Sequence, residues 1–512
     1  MIAVPAGAGG SAPPAPRGGT APRGRITASA EPIWQRRPAR LTVIGTGYLG
    51  ATHAACLAEL GFDVLGVDTD ATRIGALTSG RLPFHEPGLE PLLRRGLASG
   101  RLRFTSSYEQ AAAFGEVHFV CVGTPQRGDG DGADLGQLNS CIAALAPLLR
   151  SPCLVVGKST VPAGTACVLA DELARLAPAG NAVELAWNPE FLREGCAVQD
   201  TLRPDRIVVG VQSLRAEQLL RRIYAGPLAT GTPFMVTDLT TAELAKVAAN
   251  SFLATKISFI NAMAEVCEAV GGDAIHLSRI LSADPRIGPA SLWPGLGFGG
   301  ACLPKDIRAF LARATDLGMG ETLRFLREVD AINLRCRTRM IDLACELLNG
   351  SLVGRSVGVL GVAFKPNSDD IRDSPALGVA RAIHHLGARV TVYDPVAMDR
   401  ARQACPELQY ADSALGAARN ADLMLLLTEW PEFCDADPEV LGTTVAQRNI
   451  ADGRNALDPD LWRGHGWRYR ALGRPAIRSD RRGNAAAGGK PGAGDAHHPG
   501  VPRPARSAAT AR

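Results

Sequence analysis

A chain of 512 residues is several times longer than one hydrophobic core requires, so a single small module is excluded and two to four domains are expected. With 46% hydrophobic and 21% charged residues, and no run approaching the roughly 18 apolar residues of a spanning helix, the composition excludes a membrane protein and an intrinsically disordered chain. The excess of 55 basic over 51 acidic residues resides in the ends, because residues 1–40 hold six Arg against one Glu, residues 474–512 hold eight basic against two acidic groups, and the stretch between is acidic, which gives no reason to expect a nucleic-acid partner.

Residues 1–40 are rich in Ala, Pro, Gly and Arg and lack the apolar segment of a signal peptide, so they read as a disordered leader. Residues 474–512 repeat that composition and read as a disordered tail. Twelve cysteines are scattered without a C-x-x-C pair or a His-rich ligand run, the pattern of a reduced, cytoplasmic, metal-free protein. Lysine is scarce, six residues against 49 Arg. An exposed cation can be either residue, so each surviving lysine is a candidate for a place that needs a compact, titratable ammonium.

The first element after the leader is an apolar strand at residues 41–44, followed by Gly45-Thr46-Gly47-Tyr48-Leu49-Gly50, a helix over 51–60, and a second strand over 64–67 that ends at Asp68. A G-x-G-x-x-G turn between strand and helix, with an acidic residue about twenty positions on, predicts a dinucleotide site. Gly45 makes the tight turn, Gly47 lets the backbone approach a pyrophosphate, Gly50 permits close helix packing, and Asp68 can accept from a ribose 2′-hydroxyl, which favours NAD over NADP. Strands over 117–122 and 154–157 continue the same parallel sheet and run into Gly123-Thr124-Pro125 and Lys158-Ser159-Thr160. A loop after a strand at 184–187 carries Asn188-Pro189-Glu190-Phe191-Leu192-Arg193-Glu194-Gly195, two carboxylates flanking an apolar pair.

Long helices follow over 240–270 and 321–348, a spine suited to joining two α/β lobes and to dimerisation. The first holds Lys246 and Asn250 one turn apart, able to donate together to an oxyanion, although such a pair is more often a solvated face. Between the helices stands Phe298-Gly299-Gly300-Ala301-Cys302-Leu303-Pro304-Lys305-Asp306. A helix beginning near Pro304, with Lys305 beside it, should favour the thiolate of Cys302 and make it a nucleophile. A second α/β unit has strands at 357–361, 390–393 and 423–427 and lacks a full glycine turn, so it suits the nucleotide part of a substrate better than a second dinucleotide. Phe364-Lys365, Asp370, Arg372 and Asp452-Gly453-Arg454 place cations at its strand ends.

Together these segments resemble the nucleotide-sugar dehydrogenase family over residues 41–472. The resemblance implies two Rossmann-like doubly wound lobes, an NAD-binding domain at 41–236 and a UDP-sugar-binding domain at 351–473. A central helical region at 237–350 would join them, carry the cysteine loop and form a homodimer. It implies two successive NAD-dependent oxidations of a sugar C6 alcohol, with Cys302 as nucleophile, Lys246 and Asn250 as oxyanion donors, Asp306 and Glu190 as acid, base or water-organising groups, and Thr160 placing water. NAD contacts would come from residues 45–50, Asp68, Arg73, Thr124, Thr160, Glu194, Lys305 and Arg372. Phe191, Leu192, Lys246, Asn250, Phe298, Gly299, Phe364, Lys365 and Arg454 would hold the sugar nucleotide, with Arg286 lent to a neighbouring subunit.

The chain differs from the family pattern at Ser291-Leu292-Trp293, Ala301 and Cys196, none of them a reacting group. Residues 202–210 lean toward UDP-glucose as substrate, with GDP-mannose and UDP-N-acetylhexosamine as alternatives of the same chemistry. Two further readings are a two-electron hydroxyacid dehydrogenase, which also pairs a dinucleotide domain with a Lys-x-x-x-Asn helix but needs no Cys302 loop, and a silent nucleotide-sugar-binding protein.

Overall fold

The structure, a computed structural model, describes residues 39–475, and the expected leader and tail lie almost wholly outside them. Two sheets organise the chain. The first contains β1 Arg40–Ile44, β2 Asp63–Val67, β3 Leu102–Thr105, β4 Val117–Val120, β5 Cys153–Gly157, β6 Val183–Trp187, β7 Ile207–Gly210 and β8 Phe234–Thr237. The second contains β9 Ser356–Leu360, β10 Arg389–Tyr393, β11 Gln409–Tyr410, β12 Leu423–Leu426, β13 Asn449–Asp452 and β14 Arg468–Ala471.

Central strands buried on both faces read as nearly unbroken apolar runs, because helices cover a parallel sheet from both sides. In β4 the exception is His118, whose Nδ1 lies 2.7 Å from Thr42 Oγ1, and burial pushes its pKa down to about 4. Strand order in the first sheet is β3-β2-β1-β4-β5-β6-β7-β8, and in the second β11-β10-β9-β12-β13-β14. The order therefore reverses between β1 and β4, and between β9 and β12. A crevice opens beyond the carboxyl ends at each reversal, where the Gly45 turn and the loop after Leu360 are found.

The edge of the first sheet departs from its parallel centre. β7 meets β6 antiparallel at the Trp187 and Gly210 pair, and β8 then runs parallel to β7, so the first sheet is mixed rather than wholly parallel.

Helix Leu239–Val270, 32 residues long, links the sheets and packs on helices Leu303–Asp316 and Phe325–Leu347. Its start is fixed by Asp238, whose carboxylate accepts from Thr241 N at 2.8 Å, and its end by Gly271 at φ +79°. The third of these helices begins at Phe325 rather than near 321, because residues 319–326 form consecutive i to i+3 turns, Thr322 N to Met319 O and Leu326 N to Leu323 O among them. Among the described residues no helix is long and apolar enough to cross a membrane, and no group of three or more His, Cys, Asp or Glu side chains could hold a metal ion.

Candidate active site

At the first crevice, the Gly45 backbone at φ +88° requires glycine, and a Cβ there would stand 2.8 Å from Val122 N. A Cβ on Gly50 would lie 1.8 Å from Gly45 O, whereas at Gly47 it would meet open space. Helix Tyr48–Glu59 starts directly after Gly47, three residues earlier than expected, so its unpaired first-turn N–H groups face that space. Leu49 turns its side chain into the core and offers only backbone. Asp68 ends β2 and accepts from Thr46 N at 2.8 Å, Asp70 N at 3.0 Å and Arg73 Nη1 at 2.8 Å. Burial raises its pKa, but these bonds outweigh burial and leave the carboxyl below its ordinary value. Thr124 Oγ1 donates to Thr160 O at 2.7 Å, closing the rim. The cradle, the helix start and the carboxylate fit a dinucleotide.

Beyond the rim the four reactive segments meet. Lys246, 3% exposed, places Nζ 2.8 Å from Glu190 Oε1, and Asn250 one turn on donates to Asp306 Oδ2 at 2.7 Å. Both expected oxyanion donors are thus turned inward and aligned by carboxylates, not spread over a solvated face. Burial works against the Lys246 ammonium, yet the surrounding charges, Glu190 foremost, leave its pKa raised. For Glu190 the same balance, led by Lys246 after burial, leaves it lowered.

Cys302 caps helix Leu303–Asp316 and remains partly exposed in this pocket. Its predicted thiolate is corrected. Burial, then the charge of Glu190, pushes the thiol up to about 12, and the cation that opposes them is Lys246. Lys305 does not serve that purpose, because its Nζ lies 2.7 Å from Asp306 Oδ1. Loss of solvent around sulfur outweighs the helix end, a balance that spacing along the chain cannot reveal.

The second sheet supplies the opposite wall. Ser368 Oγ donates to Glu194 Oε2 at 2.9 Å, and Arg372 Nη2 lies 3.8 Å from Glu194 while pairing closely with Asp370. Burial, with the charge of Asp370, pushes Glu194 up to about 7. Lys365 is half-buried beside the Phe364 ring, and desolvation lowers its pKa. Gly300 N donates to Arg372 O at 2.9 Å, so the second lobe also holds the cysteine loop.

Several expected substrate contacts are engaged by the protein itself. Phe298 is buried among Ala254, Ile307 and Leu326, while its backbone N and O bond the Asn333 amide, and Gly299 packs on Asp373 O. Arg454 is clamped by the carbonyls of Leu427, Gly297 and Phe364, which makes it a brace across three segments. Leu192 N bonds Glu190 Oε2, and the Phe191 ring stacks under the Arg206 guanidinium at 3.9 Å. Arg286 is not brought to the site in this chain, since its side chain is 87% exposed and paired with Asp284.

Two residues to which the sequence assigns no role tie the site together. Glu86, 4% exposed, accepts from Tyr48 Oη, from Gly195 N at 2.7 Å and from Ala197 N at 2.7 Å, tying the dinucleotide turn to the Glu194 loop. Glu243 accepts from Gly164 N at 2.7 Å and Ala166 N at 2.6 Å, capping helix Thr165–Leu176 beside Thr160. The position of Glu243 one turn before Lys246 is a usable signal, whereas Glu86 has none.

Comparison with known proteins covers all three parts of the chain. Models of the UDP-glucose/GDP-mannose dehydrogenase family match as follows: the NAD binding domain at residues 39–227, the central domain at 240–335 and the UDP binding domain at 358–459. A UDP-glucose 6-dehydrogenase of Rhizobium meliloti is 41% identical over 443 residues, 85% of this chain and 100% of that protein. The Pseudomonas aeruginosa protein of the same name is 41% identical over 446 residues, 85% of this chain and 98% of its own. Among solved structures, a UDP-glucose dehydrogenase from Pyrobaculum islandicum matches with a TM-score of 0.79 at 36% identity, covering 87% of this chain and 100% of that one. A UDP-D-ManNAc dehydrogenase from Pyrococcus horikoshii matches with a TM-score of 0.74 at 28% identity, covering 85% and 99%. Likeness of this order runs through both sheets and the helices between them, and the chain belongs to the UDP-glucose/GDP-mannose dehydrogenase family.

Proposed function

We propose that this NAD-dependent enzyme oxidises UDP-glucose to UDP-glucuronate in two steps at one site, through covalent intermediates on Cys302. The supporting observation is the meeting of one thiol with two carboxylate-aligned donors, the Lys246 and Glu190 pair and the Asn250 and Asp306 pair, in one pocket between a dinucleotide cradle and a second α/β lobe. A two-electron hydroxyacid dehydrogenase has no use for that thiol. UDP-glucose is favoured over other sugar nucleotides by the names of the relatives that are about 41% identical.

In the first oxidation Asp306 or a water beside it takes the C6 hydroxyl proton. Cys302 Sγ then bonds to the aldehyde carbon, and the thiol proton passes to the former carbonyl oxygen, toward which Lys246 and Asn250 donate. A base accepts the thiohemiacetal hydroxyl proton in the second oxidation, leaving a thioester. Water organised by Glu190 and Thr160 attacks this ester, the C–S bond breaks, and carboxylate and thiol are released. Bound NAD supplies the hydride acceptor for each oxidation.

In this reading residues 41–236 hold NAD, 351–473 hold the uridine nucleotide through Lys365, and 237–350 carry the cysteine loop and the contact of a cytoplasmic homodimer. Phe252, Phe259 and Val266 support that contact, standing 67%, 50% and 51% exposed at seven-residue intervals on one helix. Arg286 would reach the neighbouring site. The decisive experiment counts NADH against sugar in a panel of nucleotide sugars. Two NADH per UDP-glucose with UDP-glucuronate as product are expected, and one NADH with a released aldehyde would sink the four-electron reading.

Cofactor choice gives a second expected result. Asp68 repels a 2′-phosphate and occupies Arg73, which could otherwise welcome one. The wild-type enzyme should favour NAD over NADP by at least about tenfold in kcat/KM, about 1.4 kcal/mol. Asp68→Ala should narrow the gap from both sides, weakening NAD and freeing Arg73. Equal efficiency with both cofactors in steady-state kinetics of the wild type would show that Asp68 does not face the ribose.

A further inference from the structure

Behind the reactive pocket lies a cavity of about 60 Å³, lined by Lys158, His53, Asn188, Glu190, Arg206 and Tyr224 among others. Its position follows from sheet register. Gly157 of β5 pairs with Trp187 of β6, so the next residues, Lys158 and Asn188, leave neighbouring strand ends side by side. Lys158 is 6% exposed, and its Nζ donates to Asn188 Oδ1 at 3.0 Å and to Asn188 O at 3.3 Å. Asn188 in turn donates to Val208 O at 2.7 Å and accepts from Tyr224 Oη. Among the described residues no carboxylate pairs with Lys158, yet Glu190 lines the same cavity two residues beyond the anchored Asn188. Its Oε1 faces Lys246, and its Oε2 accepts from Leu192 N at 2.7 Å.

We infer that Lys158 is a positioning residue for Glu190: its ammonium pins the turn at Asn188 and supplies, from behind, the second positive charge that the Glu190 carboxylate faces. A carboxylate held between two buried cations keeps its charge through the catalytic cycle even when substrate draws Lys246 toward an oxyanion. Four observations support this. Lys158 is one of six lysines in a chain that uses Arg for most cations. Its two observed hydrogen bonds are both to Asn188, the residue that opens the Glu190 loop. Burial pushes Lys158 down to about 8 while the charges of Cys121 and Glu190 oppose that fall, and Lys158 in turn acts to lower Glu190. The remaining groups around it do not replace its charge. His53 on helix Tyr48–Glu59 is held neutral by burial, with no hydrogen-bond partner at Nε2. Tyr224 Oη is directed to Asn188, Lys246 on the long helix repels Lys158, and Arg206, with Asp205 beside it, stacks on Phe191.

The inference rests on the proposed oxidation, and the test separates the two. Wild-type NADH formation from UDP-glucose examines the reaction itself. Every variant is then compared with the wild type in kcat, KM and the low-pH limb of kcat, with Glu190→Gln as the variant that should remove the limb belonging to Glu190. Lys158→Gln retains a donor for Asn188 but not the charge. Its kcat should fall about tenfold or more with KM within about twofold, and its acid limb should move up by about one pH unit, because a carboxylate that loses a cation binds its proton more tightly. Lys158→Arg, which keeps the charge, should restore the limb to its wild-type position. Tyr224→Phe loosens Asn188 without changing charge and should leave the limb unmoved. A Lys158→Gln limb that coincides with that of Tyr224→Phe would overturn the inference and leave Lys158 a structural residue. Should Lys158→Gln not fold, a shifted limb in Lys158→Arg, which keeps the charge, would overturn it equally.

Discussion

Cys302→Ser should lower UDP-glucuronate formation by about 10³-fold or more, the scale on which removal of a nucleophile acts in sites whose groups work as a unit. Serine oxygen is a poorer nucleophile at neutral pH, and an ester is hydrolysed less readily than a thioester. The surroundings sharpen the loss. Burial and Glu190 already hold the Cys302 thiol up near 12, so the pocket offers little to ionise a hydroxyl whose ordinary pKa is higher still. The first oxidation needs no sulfur and should survive, so aldehyde, trapped with a carbonyl reagent, should appear at the expense of acid. Folding should be unaffected. Cys302 caps its helix with no side-chain hydrogen bond, and serine is a competent cap at that position. Acid formation at the wild-type rate, with Tm unchanged, would show that Cys302 is only a packing residue.

The sequence made the reactive residue types and their segments legible because each is tied to a local requirement. Gly45 and Gly50 are dictated by a turn and a close approach that admit no Cβ, and Asp68 by its place at a strand end. Lys246 and Asn250 follow from helical periodicity. What the sequence could not show was how these groups pair. Lys305 stands three residues from Cys302 yet binds Asp306, whereas Lys246, 56 residues away, is the cation that acts on the sulfur. Glu86 was invisible for the same reason, since its partners at Tyr48, Gly195 and Ala197 are brought to it only by the assembled sheet. The reversed edge strands β7 and β8 were also missed. Short apolar strands carry no local mark of direction, and β7 is set by a single pairing of Trp187 with Gly210. Arg454 read as a cation placed at a strand end to hold the sugar nucleotide, and its bonds to three carbonyls supplied by remote segments left no mark in the local sequence.

Lysine scarcity, joined to this geometry, leads to the second large effect. Lys246→Arg should cost roughly 2–4 kcal/mol of transition-state stabilisation, the scale of one lost oxyanion donor, or about 30- to 1,000-fold in kcat/KM. Charge is retained, so the loss must come from shape. The ammonium lies between Glu190 Oε1 at 2.8 Å and the Phe191 ring at 5.8 Å, in a space 97% removed from solvent, and a planar guanidinium cannot turn one compact donor from carboxylate to oxyanion there. Lys256→Arg is the matched comparison on the same helix. Its Nζ donates to the Ile287 and Gly288 carbonyls at 2.9 and 3.4 Å, and Arg can bridge two carbonyls equally well. That loop follows Arg286, so a small change through a neighbouring subunit is compatible with the scheme, but it should remain within about threefold, near 0.6 kcal/mol. KM for UDP-glucose should move less than kcat in Lys246→Arg, because a donor that meets charge only as it develops stabilises the transition state more than the bound substrate. Equal kcat/KM values for the two variants would remove Lys246 from the oxyanion role and leave it as the structural partner of Glu190.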